Sequence, residues 1–330
     1  MSFWNNMFDF LGMASMMTEE KVEEKAPFYL KEVMPIKFIY RPQTWDEYIG
    51  QDNAKECAKL KINQIINYKP VHILLSGRAG GGKTSLVNLI GKYLQFDITY
   101  QIGETFTLDS LREFLIANES GKRPRMLFID EIHGLKKAIA EFMYPILEDF
   151  ILPTNGKTIR PFVMAGTTTD KYTMIKKYKP LVDRMAADIQ LEDYTYADME
   201  QIIRQYNQQI YKIEVPEATY FLLAQNVRRT PRIAISFFDD YVMCKDIFKV
   251  LKIHRIIKEG LTDIDIKVLR YLAETGKAAG EETLAIVGGV ERANYRLIVE
   301  PYLIAEGYLA KTNKGRIILE KGNKLLEDLK

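Results

Sequence analysis

Apolar positions along the chain follow two rhythms. His72-Ile73-Leu74-Leu75, Met126-Leu127-Phe128-Ile129 and Phe162-Val163-Met164-Ala165 are unbroken runs of strand length. Between the last two, Leu135, Ile139, Phe142, Met143 and Ile146 recur at helical spacing. Continuous apolar strands alternating with amphipathic helices predict an α/β fold, a parallel sheet with helices on both faces. After about residue 193 the strand-like runs stop. Ile202, Ile203 and Tyr206, then Phe221 to Leu223, then Ile233 to Phe238 predict an all-α segment. From 262 the pattern changes again: three short helical stretches precede Gly307-Tyr308-Leu309-Ala310 and Arg316-Ile317-Ile318-Leu319. The polar turn Lys311-Thr312-Asn313-Lys314-Gly315 joins these two runs as a hairpin. Three helices and a hairpin predict a winged-helix-like module. The expected divisions are 1–34, 35–193, 194–260 and 261–330.

Residues 1–18 stand apart. Phe3, Met7, Phe10 and Leu11 share a helical face, with Trp4 and Phe8 beside it, and the acidic stretch Thr18-Glu19-Glu20-Lys21-Val22-Glu23-Glu24-Lys25 follows as a linker. The segment lacks the basic start of a secretory signal. It reads as a helix packed on the body, a peptide for a protein partner, or a membrane-surface helix. Its polar face carries no Lys or Arg, which counts against the last.

Composition narrows the classes. A chain of 330 residues is long enough for two or three domains with a large core. Two cysteines and three histidines exclude a disulfide framework and a Cys/His zinc site, and a reducing, cytoplasmic location fits. No apolar run reaches the ~20 residues that span a bilayer. The net charge is only +2, so contact with nucleic acid has to come from a local basic patch.

The run at 72–76 leads into Gly77-Arg78-Ala79-Gly80-Gly81-Gly82-Lys83-Thr84, a GxxxxGK[ST] loop, and a helical stretch opens at Ser85. Gly77, Gly80 and Gly82 let the backbone wrap an oxyanion, and the following helix turns its positive end to it. Lys83 suits β- and γ-phosphates, and the Thr84 hydroxyl suits Mg²⁺. Asp130 and Glu131 end the second run, 47 residues after Lys83. Strand ends border the ligand crevice of a parallel sheet. Asp130 is the candidate Mg²⁺ holder and Glu131 the candidate general base. Thr168, in Gly166-Thr167-Thr168-Thr169, is the candidate for sensing the γ-phosphate or holding the lytic water. His133 reads either as part of this site or as a local hydrogen-bonding group.

Arg41-Pro42, Tyr48-Ile49-Gly50-Gln51, Asp130-Glu131-Ile132-His133, Tyr144-Pro145, Glu148-Asp149, Thr230-Pro231-Arg232-Ile233-Ala234, Glu300-Pro301-Tyr302-Leu303-Ile304 and Lys314-Gly315-Arg316 form a further set of short motifs. Together these stretches resemble the RuvB family of Holliday-junction branch-migration motors within the AAA+ ATPases. They lie in colinear order over roughly 38–320. The resemblance implies an AAA+ sheet domain, an all-α lid and a C-terminal winged helix, with ATP and Mg²⁺ as cofactors. It implies that Arg184 is an arginine finger reaching the nucleotide of a neighbouring copy, and hence a ring-shaped homo-oligomer, typically a hexamer. It implies that Arg232 is the second sensor, and that Arg41, Tyr48 and Ile49 belong to the adenine pocket. The chain departs from the family between Asp149 and Pro161, where only eleven residues replace a longer hairpin. That shortening counts against a RuvA-type partner.

From 262 to 330 there are 11 basic and 11 acidic residues, so the last module is neutral. Lys311, Lys314 and Arg316 nevertheless cluster on the predicted hairpin and are the candidate DNA contacts, to phosphates rather than bases. Arg292 and Arg296 offer a second contact. The expected function is an ATP-dependent DNA motor of recombination, repair or replication. The alternative is a loader or remodeller that places a clamp or helicase through residues 1–18.

Overall fold

The computed structural model describes Tyr40–Leu329. The amphipathic segment 1–18 and its acidic linker lie outside the described residues. Contacts divide the rest into two units, Tyr40–Gly260 and 261–329. Among the described residues no helix is long and apolar enough to cross a membrane.

The first unit is built on five parallel strands in the order β2-β3-β4-β1-β5. These are β1 (Ile73–Ser76), β2 (Asp97–Ile102), β3 (Arg125–Asp130), β4 (Val163–Thr168) and β5 (Ala187–Gln190). The three central strands are the three apolar runs, and β1 and β4 are buried at every position. The edge strands β2 and β5 add to what the runs predict; β5 alternates between buried and exposed positions, and β2 is half-buried or exposed throughout. Helices cover both faces. On one, α1 (Asp52–Ile66) and α2 (Lys83–Leu94) pack through Ala54, Ala58, Ile62, Leu86 and Ile90. On the other, α3 (Leu108–Ser120), α4 (Lys137–Asp149) and α5 (Lys171–Arg184) pack through Phe114, Met143, Ile146, Met174 and Leu181. Helix α5 is kinked at Tyr178, two residues before Pro180, whose ring cannot continue the hydrogen-bond ladder.

The helical part continues in the same unit: α6 (Tyr196–Tyr206), α7 (Glu217–Asn226), α8 (Pro231–Cys244) and α9 (Ile247–Ile253). A reciprocal cap between Thr195 and Asp198 starts α6. Proline occupies the first turn of α8, where its missing N–H costs nothing. Between α4 and β4 the chain makes one tight turn, with Ile151 facing Thr158 and the Leu152 amide donating to the Lys157 carbonyl at 2.9 Å.

The second unit has α10 (Asp263–Thr275), α11 (Glu281–Gly288), a helical stretch 292–305, strands β6 (Leu309–Thr312) and β7 (Gly315–Ile318), and α12 (Glu320–Asp328). The stretch 292–305 widens into a π-turn at Tyr295–Val299, just before Pro301 withholds a donor. β6 and β7 pair antiparallel, with Lys311 opposite Arg316. Ala279 and Arg316 exchange both backbone hydrogen bonds, at 3.0 and 2.8 Å, which ties the hairpin to the helices.

Candidate functional site: a glycine loop under a helical lid

The site lies where β1, β3 and β4 end. Their register sets Ser76 beside Thr168, and the Gly77 amide donates to the Thr168 carbonyl at 3.3 Å, so the loop springs from between two buried strands. The loop then turns through left-handed conformations at Gly80 (φ 74°) and Gly82 (φ 99°). A Cβ on Gly80 would sit 2.9 Å from Thr230 Cγ2 and 3.2 Å from Arg232 Cβ, and one on Gly82 would sit 2.8 Å from the Tyr48 hydroxyl oxygen. Both positions therefore need glycine for space as well as for φ.

Lys83 opens α2 and is buried, 6% exposed. Its ammonium donates to the carbonyls of Gly77 at 2.7 Å and Arg78 at 2.9 Å. Burial holds its pKa below the usual lysine range, and the charge of Arg232 pushes the same way, against the pull of Glu131 and Asp130. Desolvation outweighs both carboxylates, so the buried ammonium would gain from a further anion, which a phosphate brings. Thr84 and Ser85 are half-buried in the first turn of the same helix. Arg78 is turned to Asp193 at 3.0 Å.

The acidic pair is held by the threonines of β4. Thr167 Oγ1 donates to the Asp130 carboxylate, and the Glu131 amide donates to Thr167 Oγ1 at 3.3 Å. Glu131, in a left-handed conformation (φ 47°), accepts at Oε2 from the Thr169 amide (3.1 Å) and hydroxyl (3.0 Å). His133 Nδ1 lies 3.2 Å from the same oxygen and 3.0 Å from Thr168 Oγ1. The structure thus gathers Asp130, Glu131, Thr168 and His133 into one hydrogen-bonded cluster. It adds Thr167 and Thr169, which the sequence shows only as a threonine run. Among the described residues no three His, Cys, Asp or Glu side chains could hold a metal. The Thr84 hydroxyl and the Asp130 carboxylate are oxygen donors of the kind Mg²⁺ takes beside phosphates.

The residues expected at an adenine pocket fall in two places. Tyr48 is 3% exposed, and its hydroxyl donates to the Gly82 carbonyl at 3.3 Å. Tyr194 backs it, with its hydroxyl 3.0 Å from where a Gly82 Cβ would be. Burial raises both phenols, that of Tyr194 to about 12, so both stay protonated donors. Tyr48 is thus a prop behind the loop. Tyr194 is a partner that nothing in the sequence around Gly82 signals. Ile49 is half-buried beside it. Arg41 is elsewhere, lining a cleft with Gln43, Asn88, Lys92 and Tyr100 on the flank of α2.

The two arginines separate. Arg232 leans on Gly80, as described, so lid and loop touch there. Its approach is shaped by Arg228 and Arg229, both left-handed (φ 50° and 51°), a strained link just before Thr230. Arg184, at the end of α5, bonds to the carboxylate of Glu148 and to the Pro180 carbonyl (2.8 Å), and lies 4.9 Å from the Tyr144 ring centroid. None of these partners belongs to the glycine loop.

In the second unit the hairpin cations divide. Lys311 and Lys314 are exposed. Arg316 is not a surface cation: it is 8% exposed, and its guanidinium grips Glu300 at 2.8 and 2.9 Å and Glu281 at 3.2 Å. Two motifs distant in sequence, Glu300-Pro301 and Gly315-Arg316, meet in this buried pair, which removes Arg316 from the expected phosphate contacts. Arg292 also pairs with Glu281, at 3.0 Å, from an exposed position.

Comparison with known proteins agrees with this architecture. A family model described as the Holliday junction DNA helicase RuvB P-loop domain matches residues 40–191, and one described as the RuvB C-terminal winged helix domain matches 258–327. The Holliday junction branch migration complex subunit RuvB of Thermotoga maritima is 32% identical over 317 residues, covering 88% of this chain and 93% of that one. Its namesake from Kosmotoga olearia is 34% identical, covering 85% and 88%. The solved structure of the Thermotoga maritima RuvB Holliday junction branch migration motor superposes with a TM-score of 0.73 at 32% identity, over 87% of this chain and 98% of that one. Matched at the nucleotide loop and at the winged helix, and related along most of its length, this chain belongs to the RuvB family of AAA+ proteins.

Proposed function

We propose that this chain is an ATP-driven motor that moves branched duplex DNA in recombination and repair. The observation that carries the reading is the glycine loop itself, with the buried Lys83 ammonium on its carbonyls, Arg232 of the lid against Gly80, and Asp130 and Glu131 at the adjoining strand end. The relatives, named as subunits of a Holliday junction branch migration complex, support the DNA side of it.

In this reading Lys83 exchanges the carbonyls of Gly77 and Arg78 for phosphate oxygens, and Thr84 and Asp130 hold Mg²⁺, with Ser85 in the same turn. The metal, when bound, neutralises phosphate charge and fixes its geometry. Glu131 takes the proton of the attacking water as general base, with Thr168 close by to position that water. Arg184 serves the adjoining copy, stabilising charge that develops there, so the working form is a closed ring, a hexamer. Arg232 moves with the lid as the nucleotide changes. Differential binding of nucleotide states then shifts the lid, the only way a ligand drives such a change. Lys311 and Lys314 hold DNA phosphates.

The tight turn at 150–160 argues against a RuvA-type partner, and the protein works in the cytoplasm. The loader alternative rests on residues 1–18, outside the described residues. The test is ATP turnover and migration of a labelled four-way junction, with and without DNA. Turnover should rise several-fold with the junction, and Lys83→Ala should abolish both activities. A rate indifferent to DNA refutes the motor.

A further inference from the structure

The first unit carries a basic patch that the nucleotide site does not use. Helix α5 holds Lys171, Lys176, Lys177, Lys179 and Arg184 against a single acid, Asp183, in a chain whose total charge is +2. Lys171 and Arg184 are paired, with Asp188 and Glu148. Lys176, Lys177 and Lys179 are exposed and form no ion pair among the described residues. Lys136 and Lys137 are exposed too, and only Lys137 has an acidic neighbour, Glu141 at 3.7 Å.

The two groups lie together. The Tyr178 hydroxyl donates to the carbonyl of Leu135, the residue before Lys136, and the Lys177 ammonium sits 4.8 Å from the centre of the same ring. Both groups also hang from loops that hold the general base. The stretch Glu131 to Leu135 leads directly into Lys136. Thr169, which donates twice to Glu131, precedes the Asp170 cap of α5.

From this juxtaposition we infer that Lys136, Lys137, Lys176, Lys177 and Lys179 form a second DNA-contacting surface, on the ATPase unit, gripping the phosphate backbone and reporting that contact to Glu131. The inference rests on the motor reading above. Lysine is depleted from protein–protein interfaces, so a surface made mainly of ammonium groups suits phosphates better than an acidic protein. No base reading is implied, as a moving motor requires.

The test uses the full chain with a non-hydrolysable ATP analogue and a fluorescent duplex or four-way junction, titrated over a range of salt. Each phosphate contact contributes about 0.9 to the slope of log affinity against log salt. The triple variant Lys136→Ala/Lys176→Ala/Lys179→Ala should lower that slope by about 2–3 and lose most DNA stimulation of ATP turnover. Its DNA-free turnover and melting temperature should stay at the parental values. Lys176→Gln alone should lower the slope by about 1, a check that does not depend on the triple variant folding. If the parent binds DNA and neither variant changes the slope, the inference is overturned and the patch belongs to an acidic protein. If the parent itself binds no DNA, the motor reading falls and takes the inference with it.

Discussion

His72 is a pH-sensitive brace at the start of β1, the end of that strand away from the nucleotide loop. It is 3% exposed, beside Phe150 and Phe162. Its Nε2–H donates to the Leu147 carbonyl at 2.9 Å, and Nδ1 accepts from the Met164 amide at 3.0 Å. Those partners fix the neutral tautomer: a proton on Nδ1 would face the Met164 N–H, donor against donor. Burial accordingly lowers its pKa from 6.5 to about 4. Between these values the unfolded chain binds a proton and the folded chain does not, so stability is complete above pH 6.5 and falls as pH drops towards 4. The full difference is worth about 3 kcal/mol, of which about 2 kcal/mol is lost by pH 5. The assay is urea unfolding at pH 7.5 and pH 5.0 for the parent and His72→Gln. The loss on acidification should be smaller in the variant by about 2 kcal/mol, because His72 is the one group that differs between the two proteins. The chain has three histidines, so proton NMR can follow each imidazole, and that of His72 should stay silent from pH 8 to 5. A midpoint near 6.5 for this ring, or an undiminished pH dependence in His72→Gln, would refute the reasoning.

Arg316→Ala should lower the melting temperature of the winged-helix unit, because stripping one partner from a buried ion pair costs about 3–5 kcal/mol. Lys311→Ala/Lys314→Ala should leave melting unchanged and weaken DNA binding, so equal melting of these two variants would contradict the assignment. Gly80→Ala, at φ 74° and against Thr230, should cost about 1–2 kcal/mol from backbone conformation alone and weaken nucleotide binding, read by urea unfolding and a fluorescent-nucleotide titration. Arg184→Ala and Lys83→Ala should each be inactive, and mixing them should restore part of the turnover if sites are shared between copies. No rescue at any ratio would put the finger elsewhere.

The sequence determined on its own those features whose cause is local. A strand buried on both faces is apolar along most of its length, so β1, β3 and β4 stand out as unbroken runs, and the loop that follows β1 declares itself by the glycines that tight wrapping needs. The family was legible in the same way, through short motifs in colinear order. The edge strands β2 and β5 were not, because each has a half-exposed face and reads as mixed polar sequence. Tertiary structure alone decided which polar groups meet. Arg316 looks like one more wing cation until folding brings Glu300 and Glu281 to it, and only folding sets Tyr194 beside Tyr48 and Gly82. The threonines of β4 acquire separate duties towards Asp130, Glu131 and His133 only through strand register. A side chain's type is written locally, but its partner is set by long-range contacts, and a charge acts on a ligand or on its own fold according to that partner.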